Sequence, residues 1–272
     1  YCYLPLYVFC GEHLLCARLR MSNIDASADS VEELDPVVAR IRQRWPAVKI
    51  VLRGDGGFCR EKLMAWCERE GMHYIFGLAQ NARLKKQIEP EMAQAEKQFE
   101  QTKTSARVFT EFLYATQDTW SRQRRVIAKA EHIAKGANPR FVVTSLSTQQ
   151  MAAQELYEKE YCARGECPEN RIKEQQLDLF ADRTSTGKMW SNQLRLYFSS
   201  ITYVLLQTLR RTALAGTELA KAQCGTIRLK LLKIGAQIRV TVRKIWISLA
   251  EGYPHAALFA RVLAALETGC AT

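Results

Sequence analysis

A single aspartate flanked by glycines is the first candidate for chemistry. Asp55 follows the short apolar run from Lys49 to Leu52 and stands in the sequence Arg53-Gly-Asp-Gly-Gly57. Ligand sites in α/β sheets gather at the carboxyl ends of strands, and glycines there let a metal or a phosphate approach the main chain. An ordinary Asp-Gly turn is the competing interpretation. The sequence therefore offers Asp55 as a ligand of a metal or phosphate.

A second group of polar residues surrounds the start of a predicted helix. Pro168 suits the first turn of a helix, so Glu169 falls in that turn and Lys173 lies one turn further on the same face. Tyr161 and Arg164 precede this helix. Taken alone, the Glu–Lys pair is better explained as a surface ion pair on a helix.

Alternating strand and helix patterns precede and position Asp55. Apolar periodicity predicts strands at Tyr1–Cys10, His13–Arg20, Lys49–Leu52 and Tyr74–Ala79, with helices around Val31–Trp45 and Arg60–Glu70. This alternation indicates an α/β fold with crossover helices.

The pattern changes after residue 82. A charged helix at Arg83–Lys103 is followed by strand-like runs at Arg107–Thr116, Arg122–Ile133 and Arg140–Leu146, which indicates a mainly antiparallel β insertion. Further helices are predicted at Thr148–Tyr161, Glu169–Leu179, Met189–Arg211 and Pro254–Leu266. Ile227–Leu232 and Gln237–Ile247 alternate apolar with basic residues and predict a basic hairpin that turns near Gly235.

Four domains follow from this organisation. We expect a core at residues 1–82, a β-rich insertion at 83–147, the second part of the core with the Glu169 helix at 148–215, and a basic hairpin and helix at 216–272.

The positive charge is concentrated in the last third of the chain. Residues 183–272 contain 13 Lys or Arg against 3 Asp or Glu, and the whole chain has a net charge of +11. This asymmetry favours a polyanionic partner, most often nucleic acid. The odd number of cysteines, nine, without a CxxC pair favours reduced thiols in a cytoplasm. No apolar run is long enough to span a membrane, so we expect no membrane partner.

Two blocks together resemble the DDE transposases of bacterial insertion sequences. The first is Ile50-Val-Leu-Arg-Gly-Asp55-Gly-Gly-Phe58, and the second is Tyr161-Cys-Ala-Arg164 followed by Glu169-Asn-Arg-Ile-Lys173. The resemblance is closest to the group with a β-strand insertion between the second Asp and the Glu, and it spans essentially the whole chain. It implies an RNase H-like mixed sheet flanked by helices, with an inserted antiparallel β subdomain.

The resemblance also implies roles for individual residues. Asp55 and Glu169 correspond to the second and third carboxylates that hold Mg²⁺ (or Mn²⁺), with which the family cleaves and joins DNA. Tyr161, Arg164 and Lys173 resemble the residues that grip DNA phosphates near the cleaved bond.

The chain departs from the family pattern in three places. The family's first Asp belongs on a strand before Tyr1, which indicates an amino-terminally truncated domain, and Asp25 is the alternative within this chain. Four residues separate Arg164 from Glu169 where the family has three, so Glu166 is the alternative third carboxylate. The position of the family's Lys is Gln176, which makes Lys173 the nearest equivalent.

We expect transposon-end and target DNA as partners, a homodimer in the synaptic complex, and a bacterial cytoplasmic, nucleoid-associated location. The predicted basic hairpin supplies the DNA-binding candidates Arg228, Lys230, Lys233, Arg239, Arg243 and Lys244.

Three hypotheses follow. The first is a catalytic domain for DNA transposition, inactive as this fragment because one carboxylate is absent. The second is a non-catalytic DNA-binding remnant of a transposase. The third is another RNase H-like nuclease such as a resolvase, against which the β insertion and the Tyr161–Glu169 block argue.

Overall fold

A computed structural model describes residues 2–163 and 168–269. The strands are β1 (Leu6–Cys10), β2 (His13–Arg18), β3 (Val51–Gly54), β4 (His73–Leu78), β5 (Ala106–Tyr114), β6 (Arg124–Ile133), β7 (Gly136–Ala137), β8 (Arg140–Thr144), β9 (Ala236–Val240) and β10 (Ile245–Leu249). The α-helices are α1 (Ser30–Arg44), α2 (Glu61–Arg69), α3 (Ala82–Gln87), α4 (Glu89–Thr102), α5 (Ala153–Glu155), α6 (Pro168–Lys173), α7 (Met189–Arg211), α8 (Cys224–Ile227) and α9 (Ala256–Gly269).

The chain forms two compact units. Residues 1–4 and 21–167 form the first, which we call the sheet unit, and residues 5–20 and 168–272 form the second, which we call the helical unit. Three helices continue as short π-helices: α5 as Leu156–Tyr161, α6 as Glu174–Asp178 and α8 as Arg228–Leu232.

A mixed sheet organises the sheet unit. Its strand order is β3-β4-β8-β6-β5, with β7 paired to β6. Only β3 and β4 run parallel, and the other pairs in this sheet are antiparallel. This mixed sheet flanked by helices, together with antiparallel β pairs, confirms the predicted α/β, RNase H-like fold class.

The strands assigned to the β insertion extend the same sheet beyond β4. β8 bonds to β4 on one side and to β6 on the other, so the sheet is continuous from β3 to β5. The core above this junction contains Ile75 of β4, Ile127 of β6 and Val142 of β8, packed against Leu156 and Tyr157. The four domain boundaries given above stay predictions.

The helical unit has its own apolar core. The β1–β2 hairpin turns at Gly11, whose φ of 58° is a left-handed conformation that suits glycine. Phe9 of this hairpin packs edge-on against Tyr203 of α7, with ring centroids 5.9 Å apart. Leu214, Ile227 and Leu231 are buried members of the same cluster.

Two sequence predictions of secondary structure are wrong. Ile227–Leu232 is helical rather than a strand, so the hairpin consists of β9 and β10 and turns at residues 241–244, not near Gly235. Ile227 and Leu231 are both buried, and their separation of four residues places them on one face of a helix. In a segment of only six residues, the same separation also fits the alternation of a strand. The charged helix is divided at Ile88, because a new helix, α4, begins at Glu89 with Pro90 in its first turn.

The cysteines among the described residues are all free thiols: Cys2, Cys10, Cys16, Cys59, Cys67, Cys162 and Cys224. No helix within residues 2–163 and 168–269 combines the length and apolar composition needed to cross a membrane.

Candidate active site

The loop after β3 holds the carboxylate of Asp55 in a defined position. Asp55 caps the short 3₁₀ helix Gly56–Phe58, and its Oδ1 accepts a hydrogen bond from the backbone N–H of Gly57 at 2.8 Å. The side chain is exposed, and none of the described residues donates a hydrogen bond to Oδ2. One carboxylate oxygen is thus oriented by the loop while the other faces solvent.

Glycines let the loop pack closely against its surroundings. A methyl group on Gly57 would lie 2.9 Å from Cβ of Ala26 and 3.0 Å from Oδ1 of Asp55. A methyl group on Gly77 of β4 would lie 2.6 Å from the hydroxyl oxygen of Tyr161 and 3.0 Å from the backbone nitrogen of Gly56. Side chains at either position would therefore displace the loop. The same contacts show that Tyr161 and the Asp55 loop meet at the carboxyl ends of β3 and β4.

The helix that ends at Tyr161 is fixed to the sheet from two sides. The guanidinium of Arg53 donates to the backbone carbonyl of Glu160 at 3.0 Å and lies 3.4 Å from Oε2 of its carboxylate. Tyr157 is buried, and its ring centroid lies 5.5 Å from that of Tyr161. The aromatic pair and the arginine hold the Tyr161 hydroxyl next to Gly77.

Asp25 is already engaged by other donors. Its Oδ1 accepts from the backbone N–H and the hydroxyl of Ser27, at 2.9 and 2.7 Å, and its Oδ2 accepts from Nε and Nη2 of Arg60, at 3.0 and 2.8 Å. The Ser27 hydroxyl and then the Ser27 N–H and Arg60 hold the pKa of Asp25 below its usual range. Both oxygens therefore accept hydrogen bonds, and Asp25 links the loop at Ser27 to Arg60.

Glu169 lies in the first turn of α6, as the proline pattern predicts, and its side chain is exposed. Lys173 is exposed at the end of the same helix. Arg164 and Glu166 lie outside the described residues, so the choice between Glu166 and Glu169 stays open.

A buried ionic network anchors the helix that carries Glu169, and sequence reasoning missed it. Glu174 is only 3% exposed and accepts hydrogen bonds from Arg171 at 2.6 Å, from Arg210 of α7, and from the backbone N–H of Cys224 at 2.8 Å. Burial alone would raise the pKa of Glu174, but the bonds from Cys224 and Arg210 outweigh it and hold that pKa below its ordinary value. Arg171 also pairs with the carboxylate of Glu12 at the turn between β1 and β2.

The sequence carries one weak signal for this network. Arg171 and Glu174 are three residues apart, a spacing at which opposite charges meet on a helix. The same spacing is common on exposed helix faces, so it does not reveal that the pair is buried.

Comparison with known protein families decides the family of the chain. Residues 1–269 match the sequence model of the family described as Transposase DDE domain group 1. The chain belongs to this DDE transposase family. No curated protein matches the chain. Membership assigns the chain to DNA transposition, carried out by a family that cleaves and joins DNA and generally uses divalent metals.

Two carboxylates of the transposase have the donor chemistry that suits a divalent metal. Within the described residues, no group of three or more His, Cys, Asp or Glu side chains is placed to hold a metal ion. Asp55 and Glu169 are exposed carboxylates, which are the hard oxygen ligands that Mg²⁺ takes. Asp55 belongs to the sheet unit and Glu169 to the helical unit, so their convergence stays a prediction.

The basic residues proposed to bind DNA fall into two groups in the transposase, which corrects the single hairpin surface predicted above. Arg228 and Lys230 lie on the π-helix after α8, where Arg228 stacks on Phe180 at 4.7 Å. Lys233 follows this helix. The hairpin itself holds Arg239, with Arg243 and Lys244 in its turn.

Proposed function

We propose that this chain supplies the catalytic domain with which a transposase cleaves transposon-end DNA and joins it to target DNA, with Asp55 and Glu169 as two of the three carboxylates that hold Mg²⁺ or Mn²⁺. One observation carries the proposal: Asp55 has one oxygen fixed by the Gly57 N–H and the other open to solvent, in a loop that meets Gly77 where the Tyr161 hydroxyl also approaches. This is the arrangement expected of a ligand that must be oriented before the metal arrives.

The residues of the chain divide the work between holding the metal and holding DNA. Asp55 offers Oδ2 and Glu169 its carboxylate as oxygen ligands. When bound, the metal would neutralise charge on the phosphodiester and activate a water or a 3′-hydroxyl for in-line attack.

Tyr161, Arg164 and Lys173 would hold the DNA phosphates beside the cleaved bond. Tyr161 presents its hydroxyl at the edge of the Asp55 loop. Arg164 would donate two hydrogen bonds to one phosphate through its planar fork, and Lys173 would act as a point charge. The basic residues of the helical unit would extend this contact along the duplex, at transposon ends and at the target.

The DNA-binding remnant is the second candidate, because Asp25, the alternative within this chain to the family's first carboxylate, is already engaged by Ser27 and Arg60. Titration of Mn²⁺, followed by electron paramagnetic resonance, separates the two candidates. The catalytic domain should bind Mn²⁺ in a manner weakened by Asp55→Asn and by Glu169→Gln.

The matched controls remove the same charge from exposed sites elsewhere: Asp118→Asn in the sheet unit and Glu267→Gln in the helical unit. These variants should bind Mn²⁺ as the unaltered chain does. If Asp55→Asn and Glu169→Gln also leave Mn²⁺ binding unchanged while DNA still binds, the remnant is the better description.

A further inference from the structure

The β9–β10 hairpin has two chemically different faces. In its register Ile247 lies opposite Ile238, and Trp246 lies opposite Arg239. Because side chains alternate along a strand, one face carries only apolar residues. These are Ala236, Ile238, Val240, Ile245, Ile247 and Leu249.

This apolar face is uncovered. Every residue of β9 and β10 is exposed, and the five large aliphatic side chains are between 41% and 71% exposed. The two strands form a separate two-stranded sheet. A lone two-stranded hairpin is marginally stable in water, so this one requires a partner surface to bury its apolar side.

The opposite face is suited to a different partner. Arg239 and Lys244 both lie against the ring of Trp246, with their charged groups 5.8 and 5.7 Å from its centroid. Gln237 and Ser248 complete this face. Residues 236–249 include three cations and no acidic residue, so the polar face suits the proposed contact with DNA.

The apolar face is suited to a copy of itself. It offers neither charge nor side-chain hydrogen-bond donors, which excludes DNA, and an aliphatic patch without charge is complementary to the same patch on a second chain. Five aliphatic side chains at roughly 100 Å² each give about 500 Å² per chain. Two chains together bury about 1,000 Å², which reaches the lower limit for a specific interface.

We propose that the apolar face of the β9–β10 hairpin packs against the same face of a second copy of this chain. The two hairpins meet around Ile238 and Ile247, and their basic faces with Trp246 point outward. The proposal identifies the contact surface of the expected homodimer. It rests on the proposed function in one respect, which is that a dimer would bring two DNA ends together.

The molecular mass of the protein, measured against its concentration, tests the interface in the absence of DNA. A failure of the interface proposal is therefore distinct from a failure of the proposed DNA binding. Sedimentation equilibrium of the full chain should show a reversible dimer. Ile247→Lys should raise the dimer dissociation constant by at least about tenfold, because it places an unpaired charge in the apolar interface. Ser248→Lys adds the same charge to the opposite face and should leave the dissociation constant unchanged.

Two results of the mass measurement would overturn the proposal. One is a monomeric unaltered chain at all concentrations, and the other is an equal effect, or no effect, of both lysine variants.

Cross-linking gives a second measurement that retains apolar character on the tested face. Benzoylphenylalanine in place of Ile238 should produce a covalent dimer on irradiation, whereas the same group in place of Gln237 should not. Equal yields from the two positions, or no dimer from position 238, would overturn the proposal whether or not Ile247→Lys folds.

Discussion

The guanidinium group of Arg53 donates a hydrogen bond to the backbone carbonyl of Glu160, 3.0 Å away. Arg53 stands two residues before Asp55, and Glu160 stands immediately before Tyr161. One side chain therefore joins the strand that presents the candidate ligand to the helix that presents the candidate phosphate-binding tyrosine. Arg53 and Glu160 are 107 residues apart in the sequence, and the fold of the sheet unit brings them together.

Gly77→Ala should destabilise the sheet unit by about 1–3 kcal/mol, because the new methyl group overlaps the Tyr161 hydroxyl and crowds Gly56. The free energy of unfolding in urea measures the effect. Gly187→Ala is the control, since a methyl group there meets nothing within 4 Å. Equal stability of the two variants would mean that the close contact at Gly77 is relieved without cost.

Glu174→Gln should destabilise the chain by about 3 kcal/mol at neutral pH, because it leaves buried Arg210 without its anion. The folded pKa of Glu174 lies below its ordinary value of 4.5, so its stabilising contribution is present above that pH and is lost as the pH falls towards the folded value. The difference in unfolding free energy between the unaltered chain and this variant should therefore shrink as the pH falls below the ordinary value of 4.5.

The control for this pH dependence is Glu267→Gln, which removes an exposed carboxylate from the same unit. It should change the unfolding free energy little at any pH. A pH-independent difference for Glu174→Gln would argue against a titrating network.

Asp55 and Glu169 should share a metal, which requires their carboxylates to lie within about 8 Å of each other. Fe²⁺ in place of Mg²⁺, with ascorbate and peroxide, generates hydroxyl radicals that cut the chain close to the metal. Cuts are expected near residue 55 and near residue 169, suppressed by excess Mg²⁺ and lost in Asp55→Ala but not in Asp118→Ala. Cuts near only one of the two residues would show that Asp55 and Glu169 do not share a metal.

DNA affinity should depend on the hairpin cations. Arg239→Glu with Arg243→Glu should weaken binding to all sequences alike and reduce the slope of log affinity against log salt by about two, since each phosphate contact accounts for roughly one. Lys85→Glu with Lys86→Glu makes the same change in charge on α3 and serves as the control. An unchanged slope for the hairpin variant would show that these cations do not contact DNA phosphates and serve only to keep the protein soluble.

The 272-residue chain should bind DNA without cutting it, because only two of the three metal carboxylates can be assigned in its sequence. Incubation with labelled transposon-end DNA and Mg²⁺ or Mn²⁺ measures cleavage. Cleavage that Asp55→Ala abolishes would show that a further carboxylate of this chain completes the site.

The parts of the fold that the sequence predicts are those with long, regular patterns. The bounds of α7 agree with the prediction from Met189 to Arg211, since its apolar residues repeat over six turns. The strands β5, β6 and β8 were also expected, but their continuity with β4 was not, because it depends on pairing between distant segments. Six residues at Ile227–Leu232 were too few to distinguish a helix from a strand.

The candidate site divides in the same way. Asp55 and Glu169 could be found from neighbouring residues, because glycines and a proline mark the local backbone. Glu174 could not, because its importance arises from Arg210 and Cys224, which approach it only in the folded chain.

The division of the helical unit along the chain has a consequence for synthesis. Residues 5–20 leave the ribosome before the rest of the helical unit, yet the hydrogen bond from Tyr203 to Glu12 joins groups 191 residues apart. The sheet unit, which is almost continuous in sequence, has all its strands long before α7 is made. The β1–β2 hairpin is therefore made long before Tyr203, the aromatic partner of Phe9. Apolar surface that stays exposed for such an interval is prone to aggregation, which is the hazard that chaperones limit.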